Sequence, residues 1–247
     1  MSEKEQPFIE HLIELRNRLL KILVAVIAIF ACMMPFANEI YDFVADPLQA
    51  RLTEGAGMIA TEVTSPFLTP FKTTFVLAFF LAIPFVLYQF WAFIAPGLYK
   101  KEKRLLAPVM VSSVFLFYAG MAFAYFVVFP IIFDFFISSA DADIKVMPDI
   151  RSYLDLALKL FFAFGFAFEI PIATVLLIWS GAVTAKDLAK KRPYVIVACF
   201  AVGMLLTPPD IISQTLLAVP MWLLFEVGIF FGRWIKRGER DEAVAED

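Results

Sequence analysis

Apolar residues run along this chain in long blocks, and short polar stretches carrying Lys and Arg separate them. An amphipathic stretch precedes the first block. There Phe8, Leu12, Leu15 and Leu19 recur at helical spacing, opposite Glu10, Glu14, Asn17 and Lys21. With Pro7 at its start, this pattern predicts a helix over residues 7–18 lying along a membrane surface. The blocks at about 19–36, 73–95, 105–129, 154–179, 193–207 and 211–231 then predict six spanning helices, since each crossing needs roughly 20 apolar residues. The fifth block is the exception. At about 15 residues it makes roughly 22 Å of helix against a hydrocarbon core of about 30 Å. It and the sixth block must thin the bilayer or hold their turn, Thr207-Pro208-Pro209-Asp210, below its surface.

The connections differ in character. Some 35 residues separate the first two spans, through Asp46-Pro47 and Gly55-Ala56-Gly57 to Pro66 and Pro70. That is too long for a plain turn and predicts an ordered cap containing some helix. A second long connection, from Pro130 to Tyr153, is acidic, with Asp134, Asp141, Asp143 and Asp149. Pro84 and Pro171 interrupt the second and fourth spans, each twelve residues after an apolar–Lys pair, Phe71-Lys72 and Leu158-Lys159. This echo fits a parallel repeat or a chance match of two kinked helices.

Composition agrees with a membrane protein: 61% of residues are hydrophobic and 18% charged, where soluble domains carry about 25% charge. Helices and short loops nearly consume 247 residues, leaving no room for a separate soluble domain. Charge supplies the orientation. Sixteen of the 21 basic residues lie in four clusters, around Arg16/Arg18, Lys100–Arg104, Lys190–Arg192 and Arg233–Arg240. Cytoplasmic loops hold the excess of Lys and Arg, so the clusters predict both termini inside. The first apolar run ends at Pro35-Phe36 without a small-residue cleavage site, and a retained helix is expected. A bacterial inner membrane suits such a chain.

Few residues offer chemistry. Glu169 falls about ten residues from Trp179-Ser180, some 15 Å into the bilayer. A carboxyl there must face protein or a water-filled cavity. It is either a functional group or an acid hydrogen-bonded to a neighbouring span. Glu226, nearer an interface, reads as a snorkelling or paired acid. Gly228 and Gly232 form a GxxxG pattern best explained by helix packing. Glu14 has Arg18 at i+4, an ordinary helix-surface pair, and Glu102 sits between Lys101 and Lys103. His11 is the only histidine, which argues against a His-rich metal site and a Ser-His-Asp triad. No GxxxxGK[ST] string is present, and Gly55-x-Gly57 lacks the strand–helix setting of a nucleotide loop. Cys32 and Cys199, inside apolar runs, read as packing residues. No enzyme activity, cofactor, metal or nucleic acid is expected.

Longer strings carry a resemblance. His11-Leu-Ile-Glu14-Leu-Arg16, Gln89-Phe-Trp-Ala-Phe93-Ile-Ala-Pro96-Gly97-Leu-Tyr99-Lys100-Lys-Glu102, Phe168-Glu169-Ile-Pro171, Lys191-Arg192-Pro193-Tyr194 and Met204-Leu-Leu-Thr207-Pro-Pro209-Asp210 together resemble the TatC family. That family is the multispanning subunit of the twin-arginine protein translocase. The resemblance implies an all-α integral membrane protein, six helices in a concave, glove-like wall with a short fifth and sixth. It implies recognition of signal peptides with paired arginines and export of folded cargo driven by the proton motive force. The family's signal-binding positions fall on Glu14 and Glu102, with Phe93 and Arg16. Its intramembrane polar positions fall on Glu169 and Gln214, and its external loop positions on Pro47 and Asp210. The implied partners are the single-span subunits TatA and TatB, lipid, and further copies of the chain, with docking around Gln214, Thr207 and Met204.

Two other functions are open on the residues alone. A proton-coupled small-solute transporter would use Glu169 as its carrier, yet would enclose polar groups on several spans at that depth. Gln89, Tyr118, Tyr125 and Gln214 are scattered company. An intramembrane protease would need a catalytic pair that these residues do not assemble.

Overall fold

In a bilayer, backbone groups must find partners within the chain, so apolar blocks with no turn residues close into helices. The computed structural model describes residues 5–49, 57–94, 106–138, 147–206 and 211–245. In chain order the helices are α1 (Glu5–Met33), α2 (Ala37–Gln49), α3 (Ser65–Leu81), α4 (Ile83–Ile94), α5 (Leu106–Phe123) and α6 (Phe129–Ser138). They continue with α7 (Ile150–Ala167), α8 (Ile170–Trp179), α9 (Ala185–Lys190), α10 (Arg192–Leu206) and α11 (Ile211–Ala245). The only strand-like pairing among the described residues is one parallel bridge between Ile59 and Asp149.

Among the described residues, four stretches are long and apolar enough to cross a membrane: His11–Gln49, Ala107–Ser138, Ile150–Trp179 and Ile211–Trp234. The pair α3–α4 also qualifies when its halves are taken together, bent by 49° at Ala82. Helix α10, with 15 residues, is the shorter apolar helix that the fifth block predicts. The sixth helix is not short, since α11 runs for 35 residues and its apolar part for 24.

Three boundaries differ from the sequence pattern, each for a local reason. No break separates residues 18 and 19, so the amphipathic stretch and the first span form one helix, α1. Nothing between Phe8 and Met33 removes a backbone N–H or favours a turn. The third span does not stop at Phe129. Pro130 cannot donate to the carbonyl four residues back, and the chain absorbs this in a π-helical turn, Ala124–Val128, before continuing as α6 to Ser138. The second span begins at Ser65, eight residues before the apolar block.

Both interrupting prolines behave alike. Pro84 and Pro171 each occupy the second position of a new helix, after breaks at Ala82 and at Phe168-Glu169. A proline is tolerated in a first turn because its missing N–H is an orphan there anyway.

The chain divides into two compact parts. The first comprises Met1–Asp46, Met58–Val114 and Pro148–Leu154. Here α1 packs on α3 and α4, with Phe30 set edge-on to Phe71 and Phe75 at 4.9 and 5.5 Å. Asp149 staples the segment before α3 to the start of α7: its carboxylate accepts from Thr61 N–H and Oγ1 and from Ser152 N–H and Oγ at 2.9–3.1 Å. The backbone donors at Ser152 and Thr61 hold this acid down at a pKa of about 2. Arg151 pairs with Glu62 beside it.

The second part comprises Pro47–Gly57, Phe115–Met147 and Asp155–Asp247. Its aromatic contacts set Phe123 against Phe164 and Phe129 against Phe161 as tilted ring pairs. Small residues bring its helices close. A Cβ on Gly120 would lie 2.3 Å from the Phe164 carbonyl oxygen, so α5 reaches α7 only because position 120 has no side chain. Gly228 and Gly232 do the same for α11 against Pro171, Thr174 and Ile178 of α8, the packing role that GxxxG predicts. Thr184 caps the start of α9. The Asp187 N–H donates to Thr184 Oγ1 at 3.1 Å, and the hydroxyl returns a 2.6 Å bond that lowers the Asp187 pKa.

Candidate functional site: a charged network joining α1 and α4

Glu14 and Arg18 stand one turn apart on α1 and therefore share a face. Arg18 grips one oxygen of that acid twice, Nε to Glu14 Oε1 at 3.0 Å and Nη2 to the same atom at 2.6 Å. Its other contacts reach α4: Nη1 donates to Gln89 Oε1 at 3.0 Å and Nη2 to the Ala92 carbonyl at 3.2 Å. The Ala92 carbonyl needs an outside donor, because the residue four positions on is Pro96, which has no N–H. Gln89 is buried at 5% exposure, whereas the Glu14 side chain keeps 37%. The network is thus anchored on its Gln89 side and open at Glu14.

Two more sequence-predicted residues lie here. His11 stacks on Phe93, with ring centroids 4.2 Å apart and planes 18° from parallel. Its Nδ1 is 3.9 Å from Glu14 Oε2, beyond hydrogen-bond reach. Arg16 points elsewhere on the surface and donates to Asn17 Oδ1 at 3.2 and 3.4 Å. Glu102 lies outside the described residues.

The remaining described candidates make none of this network's hydrogen bonds. Glu169 occupies the break before α8, where its carbonyl accepts from the Ala173 N–H at 2.9 Å. Its side chain is half-buried, with Oε1 closed off from solvent. Gln214 of α11 donates from Nε2 to the Phe200 carbonyl of α10 at 2.8 Å. Pro47 is buried inside α2, and Asp210 and Thr207 lie outside the described residues. Glu226 is a paired acid, held by Arg192 through two 2.6 Å bonds, Nε to Oε1 and Nη2 to Oε2.

Sequence reasoning missed the tie from Arg18 to Gln89. It placed Gln89 among polar groups near the depth of Glu169, whereas the side chain serves the Arg18 guanidinium. The missing donor at Pro96 was the one signal pointing there. It identifies an orphan carbonyl at Ala92 but not the arginine that satisfies it.

Long apolar helices, with the charged network among their polar groups, define an all-helical integral membrane protein. Residues 10–220 match the family described as the Sec-independent protein translocase protein (TatC), and the chain belongs to that family. It is 60% identical over 246 residues to the Sec-independent protein translocase protein TatC of Azotobacter chroococcum mcd 1, covering 100% of this chain and 96% of that one. Against the TatC of Escherichia coli (strain K12) identity is 56% over 241 residues, covering 97% and 93%. A crystal structure described as the twin arginine translocase receptor TatC superposes with a TM-score of 0.81 at 36% identity, covering 91% of this chain and 98% of that one. The chain is a component of a protein translocase, not an enzyme, and these likenesses favour that role over a solute transporter.

Proposed function

We propose that this chain is the signal-peptide receptor and core subunit of a translocase that exports folded proteins bearing twin-arginine signals. The observation that carries the reading is the open face of Glu14, held in place by Arg18 beside Phe93. Two cargo arginines need two acids at the membrane surface, and Glu14 and Glu102 supply them. Guanidinium matches carboxylate with a planar fork that an ammonium cannot copy. Phe93 flanks the same surface, and Arg16 stands on the same helix as Glu14.

Six spans place both termini in the cytoplasm of a bacterium, with the four basic clusters inside. TatA and TatB dock along α10 and α11 near Gln214, Met204 and Thr207, where Met204 is 57% exposed. Copies of the chain assemble in the receptor complex, and the proton motive force drives export. A chain of this size cannot enclose a passage for a folded domain, so partners contribute to it.

Binding of a twin-arginine peptide against a twin-lysine peptide to the reconstituted protein tests the receptor. Glu102→Gln weakens twin-arginine binding by about 1.5–3 kcal/mol, the worth of a charge-assisted hydrogen bond, and changes twin-lysine binding little. Equal loss for both peptides would make Glu102 a structural residue.

A further inference from the structure

Glu14 has two oxygens, and Arg18 uses them unequally. Both of its bonds to the acid end on Oε1, so that atom's two lone pairs are taken. Oε2 accepts no hydrogen bond among the described residues, and the His11 ring nitrogen Nδ1 stands off at 3.9 Å. Arg18 itself cannot swing away freely, because Gln89 and the Ala92 carbonyl hold it from α4. The guanidinium therefore fixes the carboxylate in rotation and leaves one edge of it presented, with the His11–Phe93 stack alongside.

We infer that Arg18 is a positioning residue which sets the receptor's preference for arginine over lysine by orienting Glu14. The inference rests on Glu14 being a receptor acid, as proposed above. Arg18 on Oε1 shows how a cargo arginine would sit on Oε2, with two N–H groups of one fork converging on one oxygen. The product is a carboxylate between two guanidinium groups. Each guanidinium spreads its charge over a plane and is weakly hydrated, which lowers the cost of bringing two together. A lysine ammonium is compact and strongly hydrated, and would place its whole charge close to Arg18. Without Arg18 the carboxylate rotates freely and offers both oxygens, and either cation can find a good geometry. Selectivity then falls although the acid remains.

A simple staple between α1 and α4 would behave differently. Losing a staple loosens the protein and weakens every ligand alike. Losing an orienting group changes the ratio between two ligands.

Full-length protein reconstituted in vesicles is titrated with twin-arginine and twin-lysine peptides, and thermal unfolding is followed in parallel. The expected result for Arg18→Gln is a preference for the arginine peptide reduced about tenfold, as loss of one well-oriented charge-assisted bond implies. Lysine-peptide affinity rises, because the ammonium no longer faces the Arg18 charge. Arg18→Lys keeps the charge and removes the fork. It must lose preference as well, and it carries the test if the Gln variant does not fold. An unchanged ratio in a folded variant overturns the inference and leaves Arg18 as a staple. Tighter arginine-peptide binding in either variant also overturns it, by making Arg18 a competitor for Glu14. If the parent protein itself shows no preference between the two peptides, the receptor reading fails and this inference fails with it.

Discussion

A single carboxyl inside an apolar span, such as Glu169, invites two roles, a polar anchor and a proton carrier. It occupies a break between α7 and α8, where the turn at Phe168-Glu169 interrupts the helical ladder. A proton relay needs a chain of titratable groups or water, and in the sequence no other charged residue falls at that depth of the fourth span. We expect Glu169 to act as a buried polar anchor for a membrane partner or an inserted signal. Gln keeps an acceptor, a donor and nearly the same shape, while Ala leaves a void. Glu169→Gln should therefore retain most export and partner crosslinking, and Glu169→Ala should lose more of both. Complete loss of export in the Gln variant, with folding and signal binding intact, would favour a proton carrier.

Between helices, the described glycine with least room for a Cβ is Gly120, where α5 meets α7. Any Cβ there meets a backbone oxygen, which cannot rotate aside as a side-chain tip can. Gly120→Ala should destabilise the protein by about 1–3 kcal/mol, the usual cost of overpacking, read as a lowered unfolding temperature in detergent. Gly57 provides the contrast: a Cβ there meets nothing within 4 Å, and Gly57→Ala should leave the temperature near that of the parent. A similar drop for both variants would mean that loss of backbone freedom, not crowding, governs the effect.

For the molecule as a whole, the distribution of Lys and Arg sets how the helices lie across the membrane. A reporter fused after Asp143 should read external, and one fused after Lys186 should read cytoplasmic. A cytoplasmic signal from the Asp143 fusion would break the six-span arrangement. The bent pair α3–α4 and the 15-residue α10 are the segments on which the span count depends.

Hydropathy along the chain was enough to establish helices and membrane embedding, because lipid leaves the backbone few alternatives. The Glu14–Arg18 pair was legible for the same kind of reason, being a matter of helical spacing alone. Other features depended on backbone adjustment or on contacts remote in sequence. Pro130 reads as a terminator until a π-helical turn carries the helix past it. Asp149 reads as one acid in an acidic loop until Thr61, 88 residues away, joins Ser152 on its carboxylate. Gln89, 71 residues from Arg18, reads as a stray polar group in an apolar span until the fold sets it against that guanidinium. Periodicity reports which face of a helix is polar, but not which distant group will satisfy it. A hydrogen bond requires two atoms within about 3 Å, and only the packing of α1 against α4 brings these two that close.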